Sequence, residues 1–416
     1  MKTAFLLTGN ELMSGDIVDS NSAEMAQMLF EIGLSVDTKV TVGDDREALH
    51  AYIDSLSREH DILIVNGGLG PTQDDLTAEI LAQVAGLPIE EHPVALAHLE
   101  AWCERRGVEL SRANLKQAML PAGCRIIPND RGSAVGFEID LHGCRVMTTP
   151  GVPSELRLMM RHHILPTLEA DASICFDKLQ CFGLGESRIQ QMVHDHIPNW
   201  PASMDLGFRA GMPLLEVKLR SKGEPELHQN TLTQLRDLLG EHVVCEGNGK
   251  LPDTLVALLA ERDEQITCAE SCTGGRIASE ITSVPGSSAV FGAGFVTYSN
   301  AMKCDMLGVN AATLAAHGAV SEQVVLEMVN GAMGRSGAQW GVAVSGIAGP
   351  DGGSEDKPVG TVWIAWGKQQ ALKTRRLRLR MDRSMFQRMV CAISLDLIRR
   401  DILGIEAEPS YFGRYL

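Results

Sequence analysis

Residues 3–7 form a continuous apolar run that empties into Thr8-Gly9-Asn10-Glu11, and residues 22–32 then place apolar side chains every three to four positions. This change of period predicts a buried strand, a polar loop and an amphipathic helix. Residues 35–42 alternate as a second strand, residues 46–57 read as a helix, and residues 61–65 are a third strand. That strand ends on Asn66-Gly67-Gly68-Leu69-Gly70-Pro71-Thr72-Gln73-Asp74-Asp75-Leu76-Thr77. Residues 81–107 and 111–119 read as helices, and residues 134–139 and 143–148 as a hairpin. Its second arm delivers Thr149-Pro150-Gly151 before a helix over 156–168. Strands and helices that alternate, with glycine-bearing polar loops at strand ends, predict a doubly wound α/β domain that binds its ligand at the carboxyl ends of the strands. Three such loops are expected to converge on one cleft.

The pattern then changes twice. Residues 173–245 are β-rich with two helical stretches and carry no chemical signature, and Glu246-Gly247-Asn248-Gly249-Lys250 reads as a break. Beyond it come a helical pattern at 251–261 and a strand at 266–270. The strand meets Ser271-Cys272-Thr273-Gly274-Gly275, and a helix led by Ile277, Ala278 and Ile281 follows. Further on are a helix from 321, a strand at 340–345 that empties into Gly346-Ile347-Ala348-Gly349-Pro350, a strand through 366 and a final helix at 383–400. The expected division is a first domain at 1–170, a middle domain at 171–246, a linker at 247–252 and a last domain at 253–408.

The corner at 271–275 shows hydroxyls and glycines to solvent at a helix start, where unpaired N–H groups attract a phosphate or an oxyanion. The plainer alternative is a helix capped by Ser or Thr. Two further stretches weigh against it: Pro285-Gly286-Ser287-Ser288, and Thr297-Tyr298-Ser299-Asn300-Ala301-Met302-Lys303. A serine hydroxyl becomes a nucleophile when a base takes its proton, and a desolvated lysine is such a base. Ser288 and Ser271 compete for that role, with a slight preference for Ser288, which is closer in sequence to Lys303. Tyr298 is expected to orient Lys303 or relay its proton. Arg383, at the start of the last helix, suits an anion clamp. In the first domain, Asp74 and Asp75 offer hard oxygens for a divalent cation, or simply complement a helix dipole.

Composition narrows the classes. The 416 residues are 44% apolar and 22% charged, which is ordinary globular material, and the net charge of −16 argues against nucleic acid as a partner. The basic run from Lys373 to Arg380 alternates like an edge strand with one charged face. No apolar run reaches membrane-spanning length and no secretory signal leads the chain, so a cytoplasmic protein without a membrane partner is expected. The 10 cysteines contain no C-x-x-C pair and the 12 histidines no H-E-x-x-H, so neither disulfides nor a histidine-bound metal is expected.

Taken together and in order, Thr8-Gly9-Asn10-Glu11, the 67–77 loop, Pro150-Gly151-Val152-Pro153, Glu270-Ser271-Cys272-Thr273-Gly274-Gly275 and Ser345-Gly346-Ile347-Ala348-Gly349-Pro350 resemble the CinA family across nearly the whole chain. The resemblance implies an α/β protein: an N-terminal molybdopterin-binding-like three-layer α/β domain, a small α+β middle domain and a C-terminal α/β domain similar to nicotinamide mononucleotide (NMN) deamidase. It implies pyridine nucleotide salvage, with NMN hydrolysed to nicotinic acid mononucleotide and ammonia in the last domain, where no cofactor is needed. Metal-dependent ADP-ribose pyrophosphatase activity is implied in the first, with Mg2+ or Co2+ and K+ as its ions. The residues carried over to NMN binding are Glu270, Thr273, Gly274, Gly275, Ser345, Gly346 and Arg383. Those carried over to the first domain's ligand are Thr8, Gly9, Asn10, Glu11, Gly67, Gly68, Gly70, Thr72, Thr77, Pro150 and Gly151. Asp75 is expected to be the metal-facing carboxylate, with Asp74, Asp16, Glu11 or Glu155 as helpers. A homodimer is also implied. The alternatives are a molybdopterin-handling enzyme and a non-enzymatic partner in competence or recombination.

Overall fold

The computed structural model describes residues 1–168 and 173–415. Contacts divide the chain into two compact units, residues 1–174 and 175–416. The boundary expected between 170 and 171 lies outside the described residues.

The first unit contains β1 (Thr3–Thr8), β2 (Thr38–Val42), β3 (Ile62–Asn66), β4 (Ile89–Glu91), β5 (Met119–Pro121), β6 (Arg125–Ile127), β7 (Gly136–Leu141) and β8 (Cys144–Thr149). Its main sheet runs β2-β1-β3-β8-β7-β6, with β1, β2, β3 and β8 mutually parallel and β6 and β7 antiparallel additions. Side-chain alternation along β1 and β3 divides the core. Ala4, Leu6, Leu63 and Val65 pack with Leu49, Ile53 and Ile80 on one face, and Phe5, Leu7, Ile62 and Ile64 with Met25, Leu29 and Met159 on the other. Helices therefore cover both faces, giving the expected three layers. The helix expected over 81–107 is in fact two, Thr77–Ala85 and Pro93–Arg106. Gly86 ends the first in the left-handed region at φ 66°, Pro88 prevents continuation, and β4 occupies the gap to pair with β5.

The second unit opens within β9 (Ile174–Cys181), which with β10 (Met204–Gly211), β11 (Leu214–Lys222) and β12 (Val243–Glu246) forms a four-stranded sheet in the order β10-β11-β9-β12. The helices Glu186–His196 and Pro225–Leu239 close its core. The expected linker at 247–252 is tied to this sheet: the Gly247 amide donates to the Lys178 carbonyl, and Gln180 Nε2 donates to the Gly247 carbonyl. The helix Leu251–Glu261 already begins inside it, with Pro252 in its first turn.

The same unit continues with β13 (Ile266–Glu270), β14 (Gly294–Val296), β15 (Trp340–Gly346), β16 (Thr361–Lys368) and β17 (Lys373–Arg378), a sheet in the order β14-β13-β15-β16-β17. The Lys373–Arg380 run thus supplies an edge strand. On one face Ile266, Cys268, Val342, Val344 and Ile364 pack against Leu255, Leu259, Ile277, Phe386 and Ile393. On the other, Ala269, Ala343 and Ala365 let the helix Glu322–Ser336 approach closely. The chain packs past the expected end at 408, because Tyr411 and Phe412 of the short helix Ser410–Arg414 are buried in the first of these cores. No helix among the described residues is long and apolar enough to cross a membrane.

Candidate active site

At the carboxyl end of β13 the chain turns into the helix Arg276–Thr282. Gly274 and Gly275 take φ of 63° and 95° there, where a side chain would be strained. The first N–H groups of this helix are not open to an anion. The carboxylate of Glu270, fully buried, accepts from the Gly275 and Ile277 amides at 3.1 Å each and from the Ala278 amide at 2.9 Å. Glu270 is thus an internal helix cap and not a substrate ligand, and the phosphate or oxyanion expected at this helix start is displaced by the chain's own negative charge. Gly275 serves the same cap. Thr273 beside it keeps a buried hydroxyl with no partner among the described residues.

Ser271 itself faces a lysine. Lys303 Nζ donates to Ser271 Oγ at 3.1 Å and to the carbonyls of Thr297 at 2.8 Å and Tyr298 at 3.5 Å. Lys303 lies in the first turn of the helix Asn300–Leu307, is 1% exposed, and has no ion pair among the described residues. Burial pushes its pKa below the ordinary lysine value, with only the Cys272 thiol acting the other way. Burial in turn pushes that thiol up to about 12, so it carries no charge near neutral pH and supplies no counter-ion.

Ser288 is not part of this arrangement. It lies exposed in the turn Ser287–Ala289, just before Val290, whose carbonyl receives the Ile266 amide at the opposite end of β13. A five-residue strand, about 16 Å at the usual rise, separates that end from Ser271. The preference for Ser288 came from its nearness to Lys303 in sequence; the parallel strand β14 carries the chain away and delivers Lys303 to the other end of the sheet.

Ser271, Cys272, Tyr298, Asn300, Lys303, Ser345, Gly346 and Arg383 line one cavity of about 220 Å3, closed by Ala319, Val320 and Ala348. The Tyr298 phenol does not reach the lysine amine. Its oxygen accepts from Arg383 Nη2 at 2.8 Å, while Arg383 Nη1 donates to the Gly349 carbonyl at 2.9 Å. The expected orienting role therefore falls to the backbone carbonyls of Thr297 and Tyr298. Ser345 Oγ donates to the Ala319 carbonyl and fixes the cavity floor.

In the first unit, the loops after β1, β3 and β8 do meet. The Gly67 amide donates to the Thr149 carbonyl, Asn66 Nδ2 to the Pro150 carbonyl and Asn21 Nδ2 to the Gly151 carbonyl. A Cβ on Gly67 would lie 2.6 Å from the Thr8 carbonyl oxygen, so only glycine permits this approach. Several expected ligand-binding groups hold the loops themselves. Thr8 Oγ1 and the Asn10 amide donate to Asp44, Glu11 folds back over Gly9, and Thr77 Oγ1, fully buried, donates to the Gly67 carbonyl. Asp75 Oδ2 accepts from the Thr72 amide and hydroxyl at 2.8 and 2.6 Å, and its carboxylate lies against Gly70. Gly68, Gly70 and Asp75 open onto a cavity of about 400 Å3. Among the described residues no three His, Cys, Asp or Glu side chains gather as a metal cage. Asp74 is exposed, Asp16 accepts from Ser14, and Glu155 accepts from Asn129 Nδ2.

Residues 4–170 match the family model described as a probable molybdopterin binding domain, and residues 248–402 that of the CinA C-terminal domain. A "CinA-like protein" of Colwellia psychrerythraea is 51% identical over 99% of this chain and 98% of its own length. The chain belongs to the CinA-like family. Another family member, from Shewanella oneidensis, bears the name "Nicotinamide-nucleotide amidohydrolase PncC" and is 38% identical over the full length of both chains. A crystal structure of a CinA superfamily protein from Klebsiella pneumoniae is 35% identical over 37% of this chain and 96% of its own, with a TM-score of 0.36. In this CinA-like chain, Asn300 and Gln387 are site residues that sequence reasoning missed. Asn300 lines the cavity, and Gln387 Nε2 donates to the Cys272 carbonyl at 2.9 Å. Gln387 lies one helical turn after Arg383 on the same face, a spacing that gave a usable signal.

Proposed function

We propose that the second unit hydrolyses the carboxamide of NMN, giving nicotinic acid mononucleotide and ammonia, by a Ser271–Lys303 mechanism. The observation that carries this reading is the buried Lys303 amine, 3.1 Å from Ser271 Oγ and without a counter-charge among the described residues. The name of the Shewanella oneidensis relative supports the same substrate. In its neutral form the amine directs two N–H bonds to the Thr297 and Tyr298 carbonyls, which leaves its lone pair for the Ser271 proton.

Lys303 takes that proton as Oγ bonds to the carboxamide carbon, and the carbonyl oxygen becomes an oxyanion. Cys272 and Gly346 both line the cavity, and we assign their backbone amides as its donors. The lysine ammonium then protonates the departing ammonia. Water attacks the resulting ester under the same base and restores Ser271. Arg383 holds the substrate's phosphate with the guanidinium N–H groups that Gly349 and Tyr298 leave unused. Purified chain incubated with NMN is expected to release ammonia, and Lys303→Ala to lose at least about a hundredfold in rate. No release by the wild type removes the reading.

The first unit we read as a metal-dependent ADP-ribose pyrophosphatase. Its donor set fits a divalent ion of the Mg2+ type, which commonly takes one or two carboxylates and completes its shell with substrate phosphates and water. Asp75 has one oxygen bonded by Thr72 and the other at hand beside the cavity, and Asp74 is its neighbour. The ion, when bound, neutralises and polarises the phosphoryl oxygens. Gly68 and Gly70 let the pyrophosphate approach the backbone, and Lys116 at the rim adds a positive charge.

A further inference from the structure

The mouth of the second unit's cavity is braced by one side chain. Arg383, in the first turn of the last helix, reaches two separate segments. Its Nη1 donates to the Gly349 carbonyl in the loop after β15, and its Nη2 to the phenol oxygen of Tyr298, just past β14. Both side chains line the cavity and both are exposed, Tyr298 at 62%, so a ligand entering from solvent meets them. Both acceptors are neutral. Arg383 has no carboxylate partner among the described residues, and its neighbour Asp382 is committed to capping the helix, where it accepts from the Met385 amide at 3.0 Å. An uncompensated guanidinium thus stands beside the nucleophile in a chain whose net charge is −16. An arginine left to itself samples many rotamers, and ordering it opposes ligand binding. One acceptor on one nitrogen still lets the guanidinium turn about that bond, whereas a second acceptor on the other terminal nitrogen fixes its plane. Gly349 supplies the first from the main chain, and Tyr298 the second from a side chain.

We propose that Tyr298 is a positioning residue for phosphate recognition: through its phenol oxygen it holds Arg383 ready for the 5′-phosphate of a mononucleotide substrate. The proposal rests on the NMN reading of the second unit and adds to it the group that prepares the anion clamp. The phenol does not reach the Lys303 amine, so its loss is felt in substrate binding and not in the proton transfers.

The test is steady-state ammonia release from NMN by the full chain, its Tyr298→Phe and Arg383→Gln variants, and the double variant. Tyr298→Phe keeps the ring and removes only the hydroxyl. It is expected to raise KM about tenfold while kcat changes by less than about twofold, the signature of lost binding that ground state and transition state share. In the Arg383→Gln background the same substitution is expected to change kcat/KM by less than about twofold, because the group it acts through is gone. That ratio is read from the linear range, so the comparison holds where substrate binds too weakly to saturate. A fall of about tenfold in kcat at constant KM overturns the proposal and returns the phenol to a proton relay. An unchanged KM in Tyr298→Phe overturns it too, as does a full effect of that substitution without Arg383. A wild type that releases no ammonia overturns the NMN reading itself, which separates that failure from the failure of the role given to Tyr298.

Discussion

Lys303 is the residue on which the chemistry turns, and its burial has two consequences of opposite kind. Because the folded chain lowers its pKa below 10.5, the unfolded chain binds more protons in the window between the lowered value and 10.5. Stability contributed through this group therefore rises with pH across that window. The cost of burying the ammonium is complete below it and absent above it. The rate follows the same titration, since only the neutral amine accepts the Ser271 proton. The kcat/KM profile for NMN is expected to climb with pH to a plateau whose midpoint lies below 10.5; a profile that falls as the amine deprotonates contradicts the assignment. The lysine was legible in the sequence as a member of a hydroxyl-rich set, but its partner was not. Sequence separation favoured Ser288, whereas the sheet brings Ser271 to it across 32 positions. Tyr298 was misread for a related reason, because one residue offers both a phenol and a carbonyl, and here the carbonyl faces the amine.

At the scale of single elements, the strand-to-helix corner after β13 shows why a helix start alone does not define an anion site. The hydroxyls and glycines of 271–275 are those of a phosphate loop, and the deciding residue, Glu270, precedes them. Its two oxygens receive three amides, so the corner is rigid before any ligand arrives. Glu270→Gln keeps the volume but only one acceptor oxygen and no charge, and it is expected to lower stability by about 1–3 kcal/mol. Thermal denaturation checks this; an unchanged Tm means that the carboxylate is not the cap described. Long, strongly patterned elements were readable: the three parallel strands and their loops in the first unit, and β15, β16 and the last helix in the second. The break between Thr77–Ala85 and Pro93–Arg106 was missed because residues 81–107 are almost uniformly helical in character, and one Gly-Leu-Pro step outweighs that preference.

For the whole molecule, the two units carry different proposed chemistry, and each has its own readout. Asp75→Asn is expected to remove metal-dependent ADP-ribose cleavage while ammonia release from NMN stays within about twofold of the wild type; parallel loss of both contradicts separate sites. The family and the three-layer architecture were readable because long motifs recur in order over nearly the full length. Asn300 and Gln387 were not singled out, since Asn300 reads as a plain helix start and Gln387 as one polar position of a helix whose apolar pattern reports packing. The most direct test of the central claim is one side-by-side assay of ammonia release from NMN by the wild type, Ser271→Ala and Ser288→Ala. The structure predicts that Ser288→Ala keeps pace with the wild type and that Ser271→Ala falls silent; an active Ser271→Ala, or loss in Ser288→Ala alone, contradicts it.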